Sequence, residues 1–200
     1  MLFRKMKKYL SAVCFSALTL GSIAQVKGLK VEEVDNGGSV TGRTYRIYVE
    51  LEQDSDQVLM VYGDATHLMD IRSTKPFYQS ELGGEMSTKL NRKIAKDNPS
   101  ARYDSFVTIG LLDNYDNSLT PFMNFDEFEH NGGALKTNDG AWYCTPDHRQ
   151  TYPGPAKRVL LMQLTTEGQI TGKFSVMGRD KLQNPFYGYD LEFTAGKSNK

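Results

Sequence analysis

The sequence predicts a mostly β chain, an antiparallel β-sandwich or jelly roll with one short connecting helix near residues 87–97. Three observations carry that prediction. Apolar residues recur with period two in short runs, the spacing of half-buried strands. Gly- and Asn-rich turn signals separate those runs, and only one stretch has convincing helical spacing.

In chain order, the first segment reads as an export signal. Arg4, Lys5, Lys7 and Lys8 precede an apolar run from Tyr9 to Leu20, and the small residues Ser22 and Ala24 set a cleavage point after Ala24. The apolar run is shorter than the roughly 20 residues a membrane-spanning helix needs. Cys14 lacks a small residue before it and has apolar sequence after it, so lipidation is not expected there. Residues 25–194 are expected to form one β-sandwich domain and residues 195–200 a flexible tail.

Asn36-Gly37-Gly38 supplies a turn before Thr44–Leu51, in which Tyr45, Ile47, Val49 and Leu51 share one face. Thr44, Arg46, Tyr48 and Glu50 share the other, which its two charges mark as solvated. Further strands are expected at Gln57–Tyr62, Ser105–Gly110, Ala141–Cys144, Gln169–Val176 and Tyr189–Phe193. The run Val159–Leu164 is apolar on both faces and predicts a central strand covered on both sides. Ser87 is placed to cap a helix carrying Leu90 and Ile94 on one face, and Asn98-Pro99 stops it. Phe122, Met123, Phe125 and Phe128 form a second cluster, either a helical turn or a loop, with its side chains in the core. Asn131-Gly132-Gly133, Asp139-Gly140 and Glu167-Gly168 mark the remaining turns. Gly38–Arg43 and Gly168–Lys173 echo one another, a likeness of turn chemistry rather than a repeat period.

The 200 residues carry 24 Lys+Arg and 24 Asp+Glu, and the 39% hydrophobic and 24% charged fractions belong to a globular chain. Loss of the leader removes four basic residues and no acidic one, leaving 20 basic against 24 acidic side chains. A mildly acidic domain is a poor partner for nucleic acid or an anionic membrane surface; cations, neutral glycans and proteins are better candidates. The same cleavage leaves Cys144 as the single cysteine. It reads as an inward strand residue in phase with Trp142, buried and inert, with an intermolecular bridge as the alternative.

Catalytic signatures are sparse. His67, His130 and His148 lack metal-ligand spacing, which argues against zinc. There is no Gly-x-Ser-x-Gly nucleophile elbow and no phosphate-binding Gly loop. Paired carboxylates of a glycoside hydrolase can be drawn from the many acids without any motif singling them out. The polar stretch Asp113–Ser118 reads first as a solvated turn and second as a calcium site with Asp113, Asp116 and Asn117 as ligands. Tyr48, Tyr78, Tyr152 and Tyr187, with Tyr189 beside the last, are candidates for an exposed aromatic platform that grips sugar rings or a protein partner.

Several segments together carry a resemblance: Tyr45–Leu51, Val61-Tyr62-Gly63-Asp64, Pro76-Phe77-Tyr78-Gln79, Tyr103–Gly110, Gly140–Asp147 and Arg158–Gly168. Over about residues 30 to 177 the chain resembles a recurring β-rich domain of secreted proteins from marine and environmental bacteria. The resemblance implies export and a β-rich fold, and assigns no site residue. The expected function is therefore an exported, non-enzymatic binding or surface-structural protein, secreted, periplasmic or at the cell surface. Its partner would be a protein or a glycan. A secreted hydrolase using paired carboxylates, for example on polysaccharide, is the alternative.

Overall fold

A computed structural model describes residues 25–196; the expected signal segment and residues 197–200 lie outside the described residues. The strands β1 (Val26–Val34), β2 (Arg43–Leu51), β3 (Gln57–Gly63) and β4 (Met69–Ser73) come first. Two short helices, α1 (Arg92–Asp97) and α2 (Pro99–Arg102), lead to β5 (Phe106–Val107) and β6 (Thr120–Phe122). Helix α3 (Asp126–Asn131) precedes β7 (Leu135–Thr137) and β8 (Gly140–Tyr143), and three long strands finish the chain: β9 (Arg158–Thr166), β10 (Ile170–Arg179) and β11 (Pro185–Ala195).

These strands form two antiparallel sheets that pack as a β-sandwich, as the alternation predicts. The first sheet has the order β1-β2-β9-β5. In the second, β11 pairs along one edge of β10, whose other edge is shared by β3, opposite Ser175–Arg179, and β4, opposite Ile170–Lys173. β3 and β4 thus lie end to end in the same direction, separated by an excursion at 64–68. β8 pairs with β3 and β7 with β4, and β6 pairs with β8 at the edge. No helix among the described residues is long and apolar enough to cross a membrane.

The inward residues of β2, Tyr45, Ile47, Val49 and Leu51, join Val61, Ile71, Trp142, Phe174 and Val176 of the other sheet in one core. Cys144 is buried beside them; burial pushes its thiol up, and the sulfur lies 2.8 Å from Ser118 Oγ. Every residue of β9 after Arg158 is buried. One face of that strand joins the main core, and Leu90, Ala101 and Phe106 pack as a second cluster over the other. Gln163, on the covered face, donates to the carbonyls of Arg102 and Asp104 (both 2.9 Å) and accepts from Arg46 Nε (3.0 Å). A polar side chain at the centre of an apolar strand is tolerated because these bonds satisfy it.

The helical segment differs from expectation at its start. Ser87 does not cap a helix: its hydroxyl is buried and donates to Thr108 Oγ1 (2.7 Å). Asn91 caps α1 instead, its Oδ1 accepting from the N–H groups of Lys93 (2.9 Å) and Ile94 (3.2 Å). Asn98-Pro99 ends α1, yet Pro99 then opens α2, a position where its missing N–H costs nothing. Phe125 and Phe128 enter the core through α3, whereas Phe122 is 65% exposed on β6 and is not core material. Gly132 ends α3 with φ 61°, and a Cβ there would stand 2.3 Å from the Phe77 carbonyl oxygen, so both conformation and space require glycine. β11 runs to Ala195, which is buried, one residue past the expected end of the domain.

Asp104 fastens the segment that crosses the first sheet. It is fully buried, and its carboxylate accepts N–H bonds from Ser80 (2.7 Å), Gly84 (2.9 Å) and Ser105 (2.9 Å). Burial pushes this carboxyl up to about 7 against the opposing pull of those donors.

Candidate ligand-binding face

The outer face of the second sheet carries a concentration of exposed aromatic side chains. Register places Tyr187, Met177, Met60, Tyr143 and Thr120 in one cross-strand row. A neighbouring row holds Ser175, Tyr62, Ala141 and Phe122. The inward residues between them, Val176, Val61 and Trp142, are fully buried, so the alternation assigns both rows to the solvent side. Tyr187, Tyr189, Tyr143 and Phe122 are 51%, 50%, 41% and 65% exposed, a large apolar area for one sheet face.

A β-bulge in the edge strand β11 shapes this face. Pairing shifts between Phe174 and Val176, so that Tyr189 and Asp190 together oppose Ser175. Asp190 takes a left-handed conformation, φ 48°, and its N–H donates to Ser175 Oγ (3.2 Å). The extra residue resets the strand phase. Tyr187 and Tyr189 both face outward before it, while Phe193 and Ala195 face the core after it.

Tyr187 and Tyr189 stack with parallel rings, 5.6 Å between centroids and 2° between planes. His67 stacks on Tyr189 at 4.4 Å and extends the file to three rings. His67 stands on the 64–68 excursion, where Asp64 Oδ1 accepts from the N–H groups of Thr66 (2.8 Å) and His67 (2.7 Å). Its Nδ1 meets Asp190 Oδ2 at 2.6 Å, and Lys173 Nζ lies 3.5 Å from Asp190 Oδ1. His67 first, and Lys173 after it, hold the Asp190 carboxyl below the usual carboxylate range. Burial, with Tyr189 next, pushes Tyr62 up to about 12, so it remains a neutral phenol beside the file.

Beyond the bulge the same face becomes polar. Lys173 is flanked by Glu192 and Asp70 on the adjoining strands, and Asp70 pairs with Arg72 and with Lys136 (3.8 Å). A trough of about 560 Å³ opens here, with Arg72, Thr171 and Lys173 among its walls. Ring faces and fixed charged groups thus sit side by side, suited to an amphipathic ligand with many hydroxyls.

Of the four tyrosines singled out in the sequence, only Tyr187 belongs to this face. Tyr48 lies on the first sheet under the Arg158 guanidinium, 4.3 Å from its ring centroid. Tyr78 is half-buried, its backbone tied to Thr165 and Ser105. Tyr152 borders a separate cleft of about 380 Å³ with Arg92, Asp116 and His148.

The three residues considered for calcium have protein partners. Asp113 accepts from Arg92 Nε (2.8 Å) and the Tyr115 N–H (3.0 Å). Asn117 donates to Ser87 Oγ and the Asp113 carbonyl and accepts from the Leu119 N–H and Gln150 Nε2, which uses its whole amide. Asp116 Oδ1 lies 3.7 Å from His148 Nε2. No group of three or more His, Cys, Asp or Glu side chains able to hold a metal converges among the described residues.

Acids also line a second cleft. Glu85 and Glu129 border a cleft of about 380 Å³ together with Phe125 and His130. Burial, then the charge of Glu85, pushes the Glu129 carboxyl up, and its Oε2 is buried without a hydrogen-bond partner.

His67, Asp190, Lys173, Tyr143 and Phe122 were not legible as one site. They come from four strands and a loop, and only register brings them together; the one local signal was the alternating Tyr187-Gly188-Tyr189. Fold and face define a two-sheet antiparallel sandwich with an aromatic and charged outer surface. Compared with protein-family models, curated proteins and solved structures, the chain matches none.

Proposed function

We propose that the protein is an exported, non-catalytic binding module that takes a glycan on the outer face of its second sheet. The observation that carries this reading is the ring file Tyr187–Tyr189–His67 set against the Asp190–Lys173 pair. A pyranose ring has apolar C–H faces and a rim of hydroxyls, and it needs ring surface and charged or polar partners within one ring's width. Protein-binding surfaces instead deplete charge at their centres, whereas here Asp190, His67 and Lys173 adjoin the aromatic file directly. The basic n-region and short apolar run before Ala24 support export.

The test is retention on insoluble polysaccharides and a soluble glycan panel, using the mature chain. Tyr187→Ala with Tyr189→Ala is expected to weaken binding about a hundred-fold, by loss of roughly 1–1.5 kcal/mol per ring. Both rings are half exposed, so the melting temperature should move little. Undiminished retention in the double variant would remove the face as the site.

A second reading, a hydrolase using paired carboxylates, is favoured by one observation: the raised Glu129 carboxyl beside Glu85 in a cleft. Turnover of a polysaccharide by the purified protein, abolished by Glu129→Gln, would establish it.

A further inference from the structure

The two echoed turns, Gly38–Arg43 and Gly168–Lys173, meet at one end of the sandwich. Gly42 packs on the backbone of Thr166, and Gly168 packs against Ser73–Lys75; a Cβ on either would stand within 2.5 Å of those atoms. Between them opens a cleft of about 630 Å³, bordered by Arg43, Tyr45, Lys75 and Glu167.

Tyr45 is the unusual member. It is 97% buried, since only 3% is exposed, and it reaches across the core from β2 until its hydroxyl lies opposite Gly196 at the end of β11, where a Cβ would come within 3.7 Å of it. That hydroxyl is shut off from solvent, and its proton meets no acceptor. The Arg43 guanidinium is near enough to influence it, but arginine only donates, so the phenolic proton has no acceptor. Burial, and then Glu33, raise the Tyr45 pKa and keep that proton in place. An unpaired buried hydroxyl is costly, and it calls for a partner.

Two cationic side chains border the cleft against one carboxylate. Arg43 reaches Glu33 by a single nitrogen at 3.4 Å, and Lys75 makes no ion pair among the described residues. Glu167 is the one carboxylate in the wall. No carboxylate, Glu167 included, accepts from the Tyr45 hydroxyl.

We propose that this cleft binds an oxyanion group, the carboxylate of an acid or a phosphate or sulfate ester, which accepts from the Tyr45 hydroxyl and is held between Arg43 and Lys75. The site lies on a different surface from the aromatic face and does not depend on it. The Arg43 side chain neighbours the hydroxyl and is half exposed, so it is free to turn toward the bound group. Tyr45 supplies a directional neutral donor, and the two cations supply the charge.

The experiment is thermal unfolding of the mature chain in sodium acetate, phosphate or sulfate, each against chloride at matched ionic strength. Wild type should melt higher with at least one oxyanion, saturably; a response to acetate identifies carboxylates, and one to phosphate or sulfate alone identifies esters. Tyr45→Phe and Lys75→Met should each weaken the fitted affinity about ten-fold or more. Without oxyanion, Tyr45→Phe should melt no lower than wild type, because it deletes an unpaired hydroxyl and keeps the ring. Absence of any saturable response overturns the proposal. So does full affinity in Lys75→Met, a surface change that leaves the core intact. A clear fall in the melting temperature of anion-free Tyr45→Phe overturns it as well, since the hydroxyl would then already have its partner.

Discussion

Trp142→Ala lowers the unfolding free energy by about 3–5 kcal/mol, a drop of roughly 10 °C in melting temperature for a domain of this size. The indole is fully buried and lies 6.4 Å from the Phe125 ring. Two losses combine in the variant. A large cavity opens between the sheets, and the Thr108 carbonyl, which accepts from Trp142 Nε1 at 3.1 Å, is left unpaired. That bond ties β8 of one sheet to the chain just past β5 of the other. Trp142→Phe retains much of the volume and loses the bond, so it should cost about 1–2 kcal/mol. Urea unfolding of the two variants separates the contributions; equal midpoints would show that the hydrogen bond, not the cavity, dominates.

The second large effect is a pH dependence set by Asp104. Its carboxyl is raised from an unfolded value near 3.8 to about 7. The folded chain therefore binds the proton more tightly than the unfolded chain. The associated stability is fully present below about pH 4 and is lost as the pH rises through about 7, with roughly 4 kcal/mol between the two limits. Asp104→Asn removes the titration but keeps the shape. One oxygen can still accept from Ser80 and Ser105, while the new amide N–H₂ opposes the Gly84 N–H, at a cost of about 1–3 kcal/mol. Stability of wild type should thus fall between about pH 5 and pH 8, and that of the variant should stay flat there. Parallel profiles would assign the dependence to another group.

Period two made the sandwich legible wherever a strand had a partner on each side and one face in the core. β2, β3 and β9 fall almost where the alternation puts them, because Ile47, Val49, Val61 and Leu161 have no alternative to burial. β1 was not legible. It is an edge strand with Lys27, Lys30, Glu32 and Glu33, and a register shift between Val26 and Gly28 breaks its alternation. The short strands β4, β6 and β7 contain too few residues to display a period and are set by tertiary pairing.

The candidate site was legible only in its tyrosines. Tyr187 carries a local signal, but its closest associates, His67 and Asp190, are 123 residues apart and meet because the bulge in β11 faces the gap between β3 and β4. Tyr48, with the same alternation and chemistry, lies under Arg158 on the opposite sheet. Alternation tells which face of a strand is wet; it does not tell which wet faces lie on the same sheet.

The interruption between β3 and β4 has a consequence for how such a domain can diversify. Both strands are registered on β10, one at each end, so the chain leaves and re-enters the sheet at fixed points whatever lies between. The 64–68 segment is in effect an exchangeable fingertip on a rigid hand. Its length and sequence can drift without unpicking the core, and each change alters the group presented to Tyr189. A lineage that inherits this scaffold can change the side chains set beside Tyr189 by editing one short exposed segment, and a protein engineer can do the same by grafting.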